Sequence, residues 1–218
     1  MKNFKPTNVL IGIIFTLAFL SIGVIAAVNF RFIYYLDVEL LDIPRTSGYS
    51  KEVIIENYNA LIDYNSPFYK GDLAFPSLPS SPHGIIHFEE VKNIFVSFYY
   101  IGFVSVAALA GIIYYKNKHK DYRYLKVSAV TVLVVPIIAA IGVVLNFDAT
   151  FVLFHKIFFR NDYWLFDPAT DPVINILPDT FFLHCLIVII VFIVVGSMML
   201  FSASRILDNR RRKSLLIK

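Results

Sequence analysis

Two of the five histidines in this chain, His87 and His155, have the neighbours of an acid–base pair. His87 opens the stretch HFEEVKNI, which ends at Ile94, and His155 stands near the start of Phe154–Asp167, FHKIFFRNDYWLFD. Imidazole titrates near neutral pH, so one ring takes a proton from a nucleophile while another returns one to a leaving group. That equipment suits acyl transfer. Glu90, three residues beyond His87, and Asp162 or Asp167, beyond His155, are carboxylates placed to fix each ring's tautomer. Lys92 and Arg160 are cations available to an oxyanion, and His155 could itself accept an acyl group. His83, four residues ahead of His87, is a third ring within reach. Against this stands a plainer reading: solvated loop histidines beside basic residues that snorkel at a membrane boundary.

Other chemistries lack their motifs. Two histidines with carboxylates are zinc donors, but there is no HExxH and no cysteine cluster, so no metal is expected. No GxSxG, P-loop or GxGxxG occurs, so no nucleotide and no cofactor is expected. The single cysteine, Cys185, excludes an intrachain disulfide and reads as a small buried apolar residue. Trp164 and Phe158, with Tyr163, Phe159 and Phe166, form an aromatic belt or a wall for acyl chains.

The elements that position these residues are membrane helices. Of the 218 residues 57% are apolar and 17% charged, and the charges avoid four runs: 9–30, 94–115, 127–147 and 180–203. Each meets the roughly 20 residues that a helix needs to cross a hydrocarbon core. Runs this continuous exclude the alternation of a barrel. The expected fold is mainly α: a polytopic membrane protein with four transmembrane helices and a small extracytoplasmic α/β or irregular cap formed by two outer loops. Residues 1–8 form a tail, 31–93 and 148–179 the outer loops, 116–126 a cytoplasmic turn and 204–218 a basic tail. The run 9–30 exceeds the roughly 7–15 residues of a secretory h-region, so it is read as a retained anchor.

Orientation follows from Lys and Arg. The tails and the turn hold thirteen against two acids, a net +11; the two long loops hold seven against fourteen, a net −7. Both termini are therefore expected in the cytoplasm, and both histidine segments outside. The basic balance speaks for anionic lipid headgroups, not nucleic acid.

Within loop 31–93, Phe32–Leu40 reads as an extended strand from its β-branched and aromatic residues. Ser50–Tyr64 reads as a capped helix with Ile54, Tyr58, Leu61 and Ile62 on one face. Pro67, Pro76, Pro79 and Pro82 follow as a lid or wall of the site. Pro136 is expected to kink the third helix.

The sequence order His87-x-x-Glu90-Val-Lys92, then Phe154-His155-x-x-Phe158-x-x-Asn161-Asp162-x-Trp164-x-x-Asp167-Pro168, resembles the lipoprotein intramolecular transacylases (Lit). Leu177-Pro178-Asp179-x-Phe181-Phe182 fits as well, and the resemblance covers essentially the whole chain. The family pattern more often has Asp where this chain has Glu90, a change that keeps the charge. The resemblance implies a four-helix protein of the bacterial cytoplasmic membrane acting at its outer face. Its reaction would move the sn-2 acyl chain of an S-diacylglyceryl-cysteine lipoprotein to that cysteine's own α-amine. The partners would be a diacylated lipoprotein and membrane lipid. The competing readings are a non-catalytic accessory or lipid-binding subunit and a metal-dependent membrane hydrolase.

Overall fold

The computed structural model describes the backbone of residues 5–216 and the side chains of residues 5–211. The helices are α1 (Pro6–Asn29), α2 (Phe32–Leu40), α3 (Ile43–Ser47), α4 (Lys51–Tyr64) and α5 (Pro82–Lys118), then α6 (Arg123–Val132), α7 (Val134–Leu145), α8 (Phe147–Phe158), α9 (Val173–Ile176) and α10 (Asp179–Leu216). Among the described residues there is no strand. Four helical stretches are long and apolar enough to cross a membrane: α1, α5, α6 with α7, and α10. The residues divide into two compact units.

The first unit comprises the N-terminal part of α1, the C-terminal part of α5, α6, α7 and most of α10. Its core joins Ile11, Phe15 and Ala18 to Leu109, Leu125, Val132, Ile193 and Leu200. Small residues let these helices close up: a Cβ on Gly196 would lie 2.6 Å from the Phe19 ring, and one on Gly12 2.7 Å from Thr131. The outward surface is apolar too, with Phe103 75% and Val144 85% exposed, which suits a lipid solvent. The third crossing is broken where Pro136 demands it. Pro136 has no N–H for the carbonyl four residues back, and α6 ends at that residue, Val132.

The second unit holds the end of α1, α2, α3, α4, the first turns of α5, α8, α9 and the start of α10. Tyr34 of α2 and Tyr58 of α4 stack at 3.7 Å, and Phe181 meets both edge-on. The Tyr34 hydroxyl donates to the Ile176 carbonyl at 2.6 Å, tying α2 to α9. Burial raises both tyrosine pKa values, so the hydroxyls remain protonated donors. Ser50 caps α4 by accepting from the Val53 N–H, as its sequence pattern announces.

Phe32–Leu40 is a helix, against the strand expected from its composition. A lone strand leaves its backbone groups unpaired, whereas a helix satisfies them internally. Helical spacing also places Tyr34, Asp37 and Val38 on one buried face. The Pro-rich segment after α4 is packed down. Leu73 and Leu78 enter the core, and the Asn57 side chain accepts from the N–H groups of Ser77 and Leu78.

That helix buries a carboxylate that spacing alone could not pair. Both Asp37 oxygens lie 2.8–2.9 Å from His184 Nδ1 on α10; the Asp37 side chain is 3% exposed and that of His184 35%. The two deletions are therefore unequal. His184→Ala strands a buried carboxylate and is expected to cost about 2 kcal/mol, less than a fully buried pair because one partner reaches solvent. Asp37→Ala leaves an imidazole that water can serve, and its melting temperature in detergent should fall less. Equal falls would deny the asymmetry.

Candidate active site

Pro82 opens α5 at a position where its missing N–H costs nothing, and Ser81 Oγ accepts from the Gly84 N–H at 3.0 Å. The turn is anchored by Asp171. That carboxylate is buried and accepts from the Ser81 N–H and the Thr170 hydroxyl, each at 2.8 Å. Gly84 is required at this contact, since a Cβ there would stand 2.2 Å from Asp171 Oδ1. Once the helix has started, His83, His87 and Glu90 fall at i, i+4 and i+7 on one face. Glu89, Glu90 and Lys92 keep these turns ahead of the apolar run that begins at Ile94.

His155 comes from α8, a helix separate from the third crossing. Asn146 caps it by accepting from the Ala149 N–H at 2.9 Å. Leu153, Phe154, Ile157 and Phe158 face outward, while His155 turns inward. Its Nδ1 lies 2.8 Å from the Phe151 carbonyl. A carbonyl only accepts, so the proton sits on Nδ1 and Nε2 carries the lone pair. Trp164 stacks on this ring at 4.6 Å, and Phe151 and Phe159 pack at 4.3 and 5.6 Å.

The His87 and His155 rings stand 6.1 Å apart, centroid to centroid. His87 is 5% exposed, held edge-on by Phe159 at 4.7 Å and Phe166 at 5.4 Å. Its Nδ1 is buried with no partner among the described residues. Burial pushes its pKa down to about 4, with the neighbouring His155 adding to the shift. Burial lowers His155 as well, opposed by its bond to the Phe151 carbonyl and by the charge of Asp179. Both rings are therefore neutral at ordinary pH, and one can take up a proton while the other stays uncharged.

The carboxylates are not where the spacing placed them. Among the described residues Glu90 pairs with no imidazole: its Oε1 accepts from Asn161 Nδ2 at 2.8 Å, and Oε2 is buried without a partner. Asn161 is itself braced, its Oδ1 accepting from the Tyr163 N–H at 3.1 Å. Asp162 is exposed, and Asp167 accepts from the Ala169 N–H in a local turn. Lys92 lies 4.1 Å over the Tyr64 ring and donates to the Tyr69 carbonyl. Arg160 is exposed. His83 stacks on Tyr163 at 4.1 Å and, with Asp162, Asp167 and Asp171, lines a cleft of about 190 Å³. Phe158 is half exposed and packs on Phe154, whereas Trp164 stacks on His155, its Nε1 buried and without a partner among the described residues. Among the described residues no three His, Cys, Asp or Glu side chains group as a metal site.

A family model described as lipoprotein intramolecular transacylase Lit matches residues 9–182. The chain belongs to that family. These transacylases are acyltransferases, and the membrane fold agrees with solved members. The structure of the membrane integral lipoprotein intramolecular transacylase Lit from Bacillus cereus is 37% identical, with a TM-score of 0.87, covering 95% of this chain and 98% of that one. Two further Bacillus cereus Lit structures carry a histidine replaced by arginine and by alanine. They match at 37% and 36% identity with TM-scores of 0.82 and 0.83, covering 95% of each chain and 94% of each chain respectively. No curated protein sequence matches this transacylase.

Four residues take roles in the site of this Lit-family chain that the sequence reading did not give them, Phe159 and Phe166 having been read only as an aromatic belt or acyl-chain wall. Asn161 holds Glu90, Phe159 and Phe166 enclose His87, and Asp171 fixes the start of α5. Asn161 stands in the quoted family pattern and was open to assignment. Asp171 had no spacing signal, because its partner Ser81 lies ninety residues away.

Proposed function

We propose that this transacylase moves the sn-2 acyl chain of an S-diacylglyceryl-cysteine lipoprotein to the α-amino group of the same cysteine. The product is an N-acyl, S-monoacylglyceryl lipoprotein. The observation that carries this is the pair of buried neutral imidazoles, one with a fixed Nδ1–H and a free Nε2 lone pair. His155 is the general base, because its bond to the Phe151 carbonyl raises its proton affinity relative to His87. The amine nitrogen bonds to the ester carbonyl carbon and gives its proton to His155. The carbon–oxygen bond to glycerol then breaks with its electron pair on oxygen, and the imidazolium returns the proton there. His87, held neutral by burial, donates an N–H to the oxygen that gains charge. Amine and ester belong to one molecule, so orientation supplies much of the rate, and no donor lipid or cofactor enters the balance.

The charge asymmetry of the loops and tails supports a site at the outer face of the bacterial cytoplasmic membrane, with both termini inside and loops 31–93 and 148–179 outside. Trp164 and Phe158 line the acyl chains. Arg160, Lys92, Asp162 and Asp167 stand at the rim or beyond it and set substrate approach, not the proton transfers.

The test uses purified protein and a synthetic diacylglyceryl-cysteine lipopeptide, followed by tandem mass spectrometry. Transfer within one molecule conserves total mass, so fragmentation must locate each chain. A chain moved from glycerol to nitrogen is the expected result. Release of free fatty acid instead would mean a hydrolase, and unchanged lipopeptide with folded protein would mean an accessory subunit.

A further inference from the structure

Glu90 carries an unused acceptor. One carboxylate oxygen is pinned by Asn161 at 2.8 Å; the other is buried and has no partner among the described residues. A buried acceptor left unpaired is costly, and a charged one more so. Glu90 also lies one helical turn from His87 on the same face of α5, with Cβ atoms at that spacing about 5–6 Å apart. The site therefore presents a fixed acceptor oxygen on the residue one helical turn from His87.

The donors a substrate can bring are few. A diacylglyceryl-cysteine lipopeptide offers esters, a thioether and hydrocarbon, none of which donates a hydrogen bond. Its N–H groups are the α-amine and the peptide amides, and only the amine carries charge to match a carboxylate. We propose that Glu90, held in place by Asn161, is the subsite that binds the substrate's α-ammonium and sets it against the ester; the ammonium gives one proton to bulk water before its nitrogen, now neutral, attacks. The inference rests on the reaction proposed above and names the residue that recognises its nucleophile. Asn161 is a positioning residue: it spends one lobe of the carboxylate so that the other points a single way, and its Oδ1 is in turn held by the Tyr163 N–H.

The test separates recognition from turnover. The probe is a dialkyl ether analogue of the lipopeptide, which has no ester to transfer, compared with its N-acetylated form. Full-length protein in detergent is expected to bind the free amine about tenfold more tightly, a charge-assisted hydrogen bond's share. Glu90→Gln keeps the shape and the Asn161 bond, and it should abolish the preference while binding the acetylated form unchanged. Asn161→Ala, a second variant should the first not fold, is expected to shrink the preference severalfold. Raising the pH of the wild type well past the amine's pKa should shrink it likewise. A tenfold preference that survives in Glu90→Gln, or its absence from the wild type, overturns the assignment. Because the probe cannot react, a preference that obeys Glu90 in a protein without transacylation of the ester substrate would sink the proposed reaction and leave the subsite standing.

Discussion

His155→Ala is expected to lower kcat/KM about 1,000-fold, within the roughly 10²–10⁴ range of a lost acid–base group, with the fold retained. Among the described residues the ring makes one hydrogen bond, to the Phe151 carbonyl, and otherwise packs between aromatics. Its removal costs about 1 kcal/mol from that bond plus the loss of a small buried ring, which a folded helix survives. The space left between Trp164 and Phe159 should admit free imidazole and restore part of the rate. Rescue would distinguish a missing base from a disturbed site. His87→Ala should cost about 100–1,000-fold, the scale of one lost donor to a developing oxyanion, without imidazole dependence of the same size. The double variant is expected to be little slower than the worse single one, since the rings act as a unit. Wild-type turnover in either variant, shown folded by its melting temperature, removes that residue from the mechanism.

The four crossings were readable because lipid imposes a coarse rule: about 20 residues without charge, and a backbone satisfied within the segment. The site was less readable, for three physical reasons that particular residues illustrate. Local composition misled at Phe32–Leu40, where aromatic and β-branched residues suit a strand but no second strand exists among the described residues to pair with it. Spacing misled at Glu90. A carboxylate three residues from a histidine was assigned to it, yet Asn161, seventy-one residues away, competes for the oxygen and wins. Hydropathy also hid α8: Asp148, His155 and Lys156 interrupt the apolar run of Phe147–Phe158, so it reads as an irregular loop with a histidine in it. The pairing of Asp37 with His184 had the same obstacle, a partner set by tertiary packing across 147 positions.

The acid side of the pH profile should belong to the substrate. An α-amine has a pKa near 8, and only its neutral form attacks, so kcat/KM should fall about 50-fold between pH 8 and 6 with a limiting slope of one. Histidines of ordinary pKa, about 6.5, would steepen that slope toward two below pH 6.5 as the base is lost. Here burial works against the charged form of both rings, and His87 stays neutral down to about 4. The slope should therefore remain one through pH 6.5. A second proton entering near 6.5 would show that the rings are hydrated and the site open. Stability bounds the usable range. With folded pKa values below the unfolded 6.5, the native chain binds fewer protons than the unfolded chain as pH drops from 6.5 toward 4. Nothing is lost above 6.5, and stability then declines across that interval, so melting temperatures must accompany each acidic rate. A rate that falls in step with the melting temperature reports unfolding, and one that falls ahead of it reports the amine.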